Sequence, residues 1–316
     1  MKKIIRIGTR DSKLALWQAT TVQQALENLG HPTTLVPVKS TGDLNLDQPL
    51  YEMGITGIFT KTLDVAMISG EIDIAVHSMK DVPTSLPKGI VEAAILKRAS
   101  HKDILLHKGL DFLKGEGTIA SGSLRRRAQW LSKYPKHKVE DLRGNVNTRL
   151  QKLKDNNWNG AIFAEAGLER LGFLNNGGQI KSPSFGGVGE ALDWMLPAPA
   201  QGAMLVVAME NDVFSREALA SLNHKNTEIC VHIEREFLKI LEGGCTAPIG
   251  ALATIERDEV HFEGNLLSLD GKQKFTVQKT VIMDKSDGLG RQCAEELLAN
   301  GGKELMEQIK KELNKK

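Results

Sequence analysis

Apolar and polar positions follow two rhythms along this chain, and the switches between them mark its elements. Near the N-terminus, "KIIRIG" is a short apolar run ending in a turn, which predicts a first strand. Leu14, Trp17, Val22, Leu26 and Leu29 then recur at helical spacing, with Asp11 or Ser12 placed to cap the helix. "TTLVPVK" predicts a second strand, "FTKTLDVAMIS" a second helix, "EIDIAVH" a buried strand and "GIVEAAIL" another. Strands alternating with helices of this length mean βαβ units and a parallel or mostly parallel sheet.

A second series of the same kind follows. "DILLHK" and "GTIAS" predict strands, and "SLRRRAQWLSKY" a helix opened by Ser123. "NVNTRLQKLKD" predicts another helix, and "NGAIFAEAGLERLG" a strand running into a helix. The stretch 175–193, rich in Gly, Ser and Asn, reads as a loop excursion. The apolar run Ala203 to Met209 predicts a strand returning to the first sheet, with the second series inserted into the first.

The last third has another texture. A helix from about Thr227 to Leu241 precedes three strands ("IGALATI", "EVHFEGNLLSL", "KFTVQKTVIM") and a C-terminal helix from about Gly288. The expected fold is α/β, with two lobes and a small C-terminal α+β domain. Its divisions fall at 1–97 with 200–219, an inserted 98–199, and 220–316. Ligands of open α/β sheets bind beyond the carboxyl ends of strands, so a cleft between the lobes is the expected site.

Composition narrows the chemistry. Hydrophobic residues at 41% and charged residues at 25% are ordinary for a soluble globular chain of 316 residues. A net charge of +2 argues against a nucleic-acid or anionic-membrane binder, so any anion site must come from a local basic cluster. No stretch approaches the roughly 18 apolar residues of a membrane span, and the start reads as a strand instead of a signal peptide. Three well-separated cysteines suit a reducing cytoplasm. The eight histidines form no H-x-x-x-H pair and there is no C-x-x-C, so no metal centre is expected.

Three segments carry candidate chemistry. "HSMKDVPT" leaves the buried strand at its carboxyl end and sets Lys80 beside Asp81, ahead of Pro83. A carboxylate there could donate or accept a proton, or stabilise a developing cation; an exposed ion pair on a turn is the plainer alternative. His77 reads as structural. "GSLRRRAQW" puts Arg125, Arg126 and Arg127 in the first turns of a helix, and "LRGNVNTR" adds Arg143 and Arg149. Cations there oppose the helix dipole, so stability does not explain them, whereas guanidinium forks beside helix amides suit carboxylates or phosphates. Arg127 alone reads as a solvated face. "GTRDS" repeats the arrangement with Arg10 and Ser12. Lastly, "EGGCTAPIG" exposes Cys245 on a bare turn, whereas Cys230 and Cys293 sit in helical patterns and read as small buried hydrophobes.

In this order, "GTRDSKLALWQA", "FTKTLD", "DIAVHSMKDVPT", "SGSLRRRAQW", "LRGNVNTRL", "AGLERLG", "LPAPAQGA" and "EGGCTAPIG" resemble the porphobilinogen deaminase family, also called hydroxymethylbilane synthases. The resemblance covers nearly the whole chain. It implies two lobes like periplasmic binding proteins plus a small α+β domain, in a cytoplasmic monomeric transferase. Such an enzyme joins four porphobilinogen molecules head to tail into linear hydroxymethylbilane, releasing ammonia, in porphyrin and haem biosynthesis. It implies a dipyrromethane cofactor held as a thioether on Cys245, with Lys80 and Asp81 catalytic. Lys80, Asp81, Ser123, Arg125, Arg126, Arg143 and Asn145 match cofactor-binding positions, and Arg10, Ser12, Phe59, Arg149, Arg170 and Gln201 match substrate-binding ones. Three positions depart from the family's pattern: Thr56 where lysine is common (Lys61 matches a separate position), Ala200 where glycine is usual, and Gly122 where serine or threonine is common.

Two other readings share parts of this pattern. A two-lobed binding protein for an anionic metabolite accounts for the arginines but gives Cys245 no role. A cysteine-nucleophile transferase requires a base near Cys245.

Overall fold

The structure, a computed structural model, describes residues 3–38, 60–175, 179–182, 185–241 and 247–314. It separates into two compact units. The chain opens the first unit with β1 (Ile5–Arg10), α1 (Lys13–Asn28), β2 (Thr33–Val38), α2 (Lys61–Ile68), β3 (Ile74–Ser78) and β4 (Ile90–Ile95). It enters the second with β5 (Asp103–His107), β6 (Thr118–Ala120), α3 (Leu124–Lys133), β7 (Lys138–Glu140) and α4 (Val146–Asp155). There follow β8 (Gly160–Ala164), α5 (Glu165–Arg170), β9 (Gln179–Lys181) and β10 (Gly186–Ala191). The chain returns to the first unit as β11 (Met204–Met209) and α6 (Val213–Ala220), then runs through α7 (Lys225–Ile240). In the second unit it finishes with β12 (Ile249–Glu256), β13 (Glu259–Leu267), β14 (Lys274–Ile282), α8 (Leu289–Leu297) and α9 (Lys303–Asn314).

In the first unit the strand order is β2-β1-β3-β11-β4. The first three strands pair in parallel, and β11 inserts antiparallel between β3 and β4. All strands but β11 therefore point one way, so the sheet is mostly parallel, and the returning strand lies where the sequence pattern sent it. Ile5, Ile7, Ile74, Val76, Val206 and Ala208 bury one sheet face against Ala19, Val22 and Leu26 of α1 and Ala218 and Leu219 of α6. Burying each such large apolar side chain contributes about 1.5–3 kcal/mol. The buried stripe of α1 is Ala15, Gln18, Ala19, Val22 and Leu26, which corrects the expected one. Trp17 and Leu29 stay 40% and 50% exposed, because neither lies within the arc of the helix that faces the sheet.

The second unit repeats the design in the order β7-β6-β8-β5-β10-β9. Strands β6, β7 and β8 are parallel, and β5 is inverted between β8 and β10. Alternation along the strands feeds both faces: Ile104, Leu106, Ala161 and Phe163 pack with Leu150 and Leu153 of α4, whereas Leu105 and Ile162 pack with Trp130 of α3. The stretch expected as a loop excursion instead supplies β9 and β10, paired with each other and with β5. Gly189 there serves close packing, not slack. A Cβ on Gly189 would stand 2.5 Å from Ile104 Cδ1, so the glycine lets the strand lie on its neighbour.

Three antiparallel strands, β12-β13-β14, complete this unit. Phe237 of α7 meets Phe262 of β13 edge to face, 5.1 Å between centroids. Amides tie this sheet to α3: Asn265 Nδ2 donates to Gln129 Oε1 at 3.3 Å, and Gln129 Oε1 also accepts from Leu196 N at 2.9 Å. The expected single C-terminal helix is two, because Gly301 takes φ +104° between α8 and α9 and breaks the hydrogen-bond ladder. No helix among the described residues is long and apolar enough to cross a membrane.

Candidate functional site

In both units the candidate residues gather where parallel strands end, and each inverted strand begins there. In the first unit Arg10 ends β1, and Ser12 caps α1 by accepting from Ala15 N at 3.3 Å. Strand β3 ends at Ser78, opposite Met204, the first residue of inverted β11. A single helical turn, Met79–Asp81, follows directly.

Three contacts hold that turn. Met79 is fully buried, Met79 N donates to Ala203 O at 3.0 Å, and Gln18 Nε2 donates to Ser78 Oγ at 2.9 Å. Lys80 and Asp81 are left half-buried. No hydrogen bond or ion pair joins the Asp81 carboxylate to any described residue, so the plainer alternative of an ion pair across the turn is not what forms. His77 is buried inside the sheet. Burial, with the positive charge of Arg10 second, pushes it down to about 4, so near neutral pH it is an uncharged structural group.

In the second unit α3, α4 and α5 start at the carboxyl ends of β6, β7 and β8. Ser123 caps α3 by accepting from Arg126 N, and Asn145 caps α4 by accepting from Thr148 N at 3.0 Å. The two helix starts lie side by side: a Cβ on Gly122 would stand 2.4 Å from Leu142 O. Arg143 is buried, and burial lowers its pKa against the opposing pull of Asp141. Arg149 is half-buried, with Nε donating to Gly144 O at 2.7 Å. Arg170 ends α5 half-buried and is pushed down to about 10, mainly by burial. Arg127 is half-buried as well.

Asp103, the first residue of inverted β5, lies opposite Ala164 at the end of β8. It is fully buried, and three of the candidate residues converge on it. Arg125 Nη2 lies 2.7 Å from Oδ2, while Arg126 Nη2 and Nε lie 2.8 and 3.1 Å from Oδ1. Gln201 Nε2 donates to Oδ1 at 2.8 Å and to His101 O at 2.8 Å. Burial works to raise the Asp103 pKa, but the two guanidinium groups and these hydrogen bonds hold it well below the usual carboxylate range. Burial pulls Arg125 down, opposed by Asp103. Arg125 Nε is buried and meets no acceptor among the described residues.

A second buried carboxylate ties α7 to β12 and to the segment before β11. Glu234 of α7 accepts from Ala200 N at 2.6 Å and from Ala253 N of β12 at 2.8 Å. Ala200 itself takes φ +62°, the left-handed region in which glycine is unstrained. Sequence reasoning missed Asp103, Glu234, Gln129 and Asn265. The one signal for Asp103 was an acidic residue opening an otherwise apolar strand. Cys230 and Cys293 are buried, as their helical settings predicted, and burial pushes the Cys293 thiol up to about 11. Cys245, Phe59 and Thr56 lie outside the described residues, and Lys61 is the first residue of α2. No cluster of three or more metal-ligating side chains occurs among the described residues.

Comparison with known proteins places the chain among others. The family "Porphobilinogen deaminase, dipyromethane cofactor binding domain" matches residues 5–217, and "Porphobilinogen deaminase, C-terminal domain" matches residues 228–299. The porphobilinogen deaminase of Pelotomaculum thermopropionicum is 40% identical, covering 99% of both chains. That of Desulfitobacterium hafniense is 41% identical, covering 98% of this chain and 99% of its own. Among solved structures, a methionine binding protein aligns over 69% of this chain and 89% of its own at TM-score 0.42 and 16% identity.

Proposed function

The chain belongs to the porphobilinogen deaminase family, and from that premise we propose that it condenses porphobilinogen into linear hydroxymethylbilane. The reading gives it a dipyrromethane primer carried by Cys245 and makes it a transferase. The observation that carries the reading is the division of charge between the two units. The first holds a positioned carboxylate with no partner among the described residues, at Asp81. The second gathers guanidinium groups where its parallel strands end, two of them, Arg125 and Arg126, sharing the buried carboxylate of Asp103.

The residues present fit the primer's chemistry. Its acetate and propionate groups call for guanidinium forks and helix-terminal donors, which Ser123, Arg125, Arg126, Arg143 and Asn145 supply. When bound, the primer supplies the pyrrole carbon to which the next ring is joined. Arg10, Ser12, Phe59, Arg149, Arg170 and Gln201 are assigned to the substrate. Of these, Gln201 reaches Asp103 and so acts from within the network. Asp81 holds the pyrrole N–H and stabilises the positive charge left as ammonia departs, and Lys80 beside it serves catalysis and holds the primer. Nothing in this scheme uses Cys245 as a turnover nucleophile; it is an anchor.

Intact mass tests the scheme directly. Protein from a host that makes porphobilinogen is expected to exceed its sequence mass by two pyrrole units. Cys245→Ala should return the bare mass and abolish turnover, while Cys230→Ala keeps both. A bare mass for the parent chain, or an adduct surviving in Cys245→Ala, overturns the assignment.

A further inference from the structure

Two arginines side by side at the start of a helix oppose its dipole and repel each other, so something must hold them there. Sequence neighbours do not. The tertiary fold does, by delivering one carboxylate from inverted β5. Asp103 divides its oxygens: Oδ2 takes Arg125 Nη2 at 2.7 Å, and Oδ1 takes Arg126 Nη2 and Nε and Gln201 Nε2. Backbone carbonyls clamp the far edges. Arg125 Nη1 donates to Leu196 O, and Arg126 Nη1 donates to Ile162 O at 3.0 Å. The Arg126 fork is thus hydrogen-bonded at two edges, and Arg125 is held by one hydrogen bond and the ion pair, its Nε lacking an acceptor among the described residues.

Asp103 acts on an incoming carboxylate in two opposite ways. Its negative charge repels the anion, while its grip removes the ordering cost that loose guanidinium groups would impose on binding. We propose that the second effect prevails and that Asp103 is a positioning residue: it aligns Arg125 and Arg126 to receive ligand carboxylates. The proposal rests on the proposed function for the identity of that ligand, but its alignment claim is tested on any polycarboxylate. A mere counter-ion role predicts the reverse sign, since Asp103→Asn then leaves two unneutralised cations and a tighter anion site.

The full chain, purified from a host that makes no porphobilinogen, is titrated with citrate at low salt and separately incubated with porphobilinogen while intact mass is followed. Asp103→Asn is expected to bind citrate at least ten-fold more weakly and to gain pyrrole mass at least ten-fold more slowly. Asp103→Glu, which keeps the charge, should recover part of both. Leu153→Ala, a core truncation in the same sheet's packing, should lower the melting temperature yet leave citrate affinity unchanged. Gln201→Leu covers the case in which Asp103→Asn does not fold. It removes one bond to Oδ1, keeps both ion pairs, and is expected to weaken citrate two- to five-fold.

Citrate binding by Asp103→Asn as tight as the parent or tighter overturns the proposal. So does an equal loss in Leu153→Ala, an unchanged Gln201→Leu, or a parent chain that ignores citrate. A parent that binds citrate but gains no pyrrole mass overturns the proposed function and leaves the alignment result standing.

Discussion

The turn at Lys80–Asp81 and the network around Asp103 both place charge where parallel strands end, but they treat it in opposite ways. Asp81 is half-buried and has no protein partner among the described residues, whereas Asp103 is fully buried and grips three side chains. The difference matches the two roles proposed for them. A group that must meet charge appearing during a reaction is kept unpaired and accessible. One that must hold cations still is paired and dry, where losing a partner would cost about 3–5 kcal/mol. Position at a strand end does not separate the two; partners do.

The comparison breaks most sharply at Asp81. Asp81→Asn should cut turnover by roughly two orders of magnitude or more while the melting temperature moves by about 2 °C or less. Steady-state assay beside thermal melting checks both, and a large melting shift would make the turn structural after all.

Acid sharpens it next. The folded pKa of His77, about 4, lies below its unfolded value of 6.5. The unfolded chain therefore binds the extra proton first, and stability falls as pH drops from 6.5 towards 4. Between pH 7 and pH 5 the loss is about 2 kcal/mol. Asp103, with its pKa depressed, contributes stability that is present above its unfolded value of 3.8 and lost only below it. Hydrogen exchange at pH 5 should accordingly rise in β3 and β11 before it rises in β5 and β8. Simultaneous loss would contradict the assignment of the acid-sensitive group to the first unit.

The smallest effect expected is at Ala200, whose neighbour Gln201 belongs to the network. Ala200→Gly relieves the left-handed backbone at φ +62° and should stabilise by up to about 1 kcal/mol. Urea unfolding checks it, and primer loading should not change, because the strain lies outside the charge pairs. The same geometry explains why glycine is usual there. Gly122 is accounted for in the opposite sense: with Leu142 O so close, it has no room for a side chain, while Thr56 lies outside the described residues.

Much of the fold was legible in the apolar rhythm. The strands β1 to β4, the insertion of the second series and the return of β11 follow from runs long enough to bury. The stretch 175–193 was not legible, because a glycine that lets strands lie close, as Gly189 does, looks the same in sequence as one in a loose turn. Ser12, Ser123 and Asn145 were legible as caps or helix starts, since capping is a local hydrogen bond. The split between α8 and α9 was hidden because one positive φ is all it takes.

By itself the sequence determined most of the element order, the family and which basic and acidic residues stand near strand ends, since periodicity and ordered motifs are properties of the chain. Only the tertiary structure decided which carboxylate is shared and which meets no partner among the described residues. Asp103 reaches Arg125 across 22 residues and Gln201 across 98, and Glu234 reaches Ala200 across 34. Such pairings depend on strand inversion and burial, which remove water from the carboxylate and leave protein donors as its only partners.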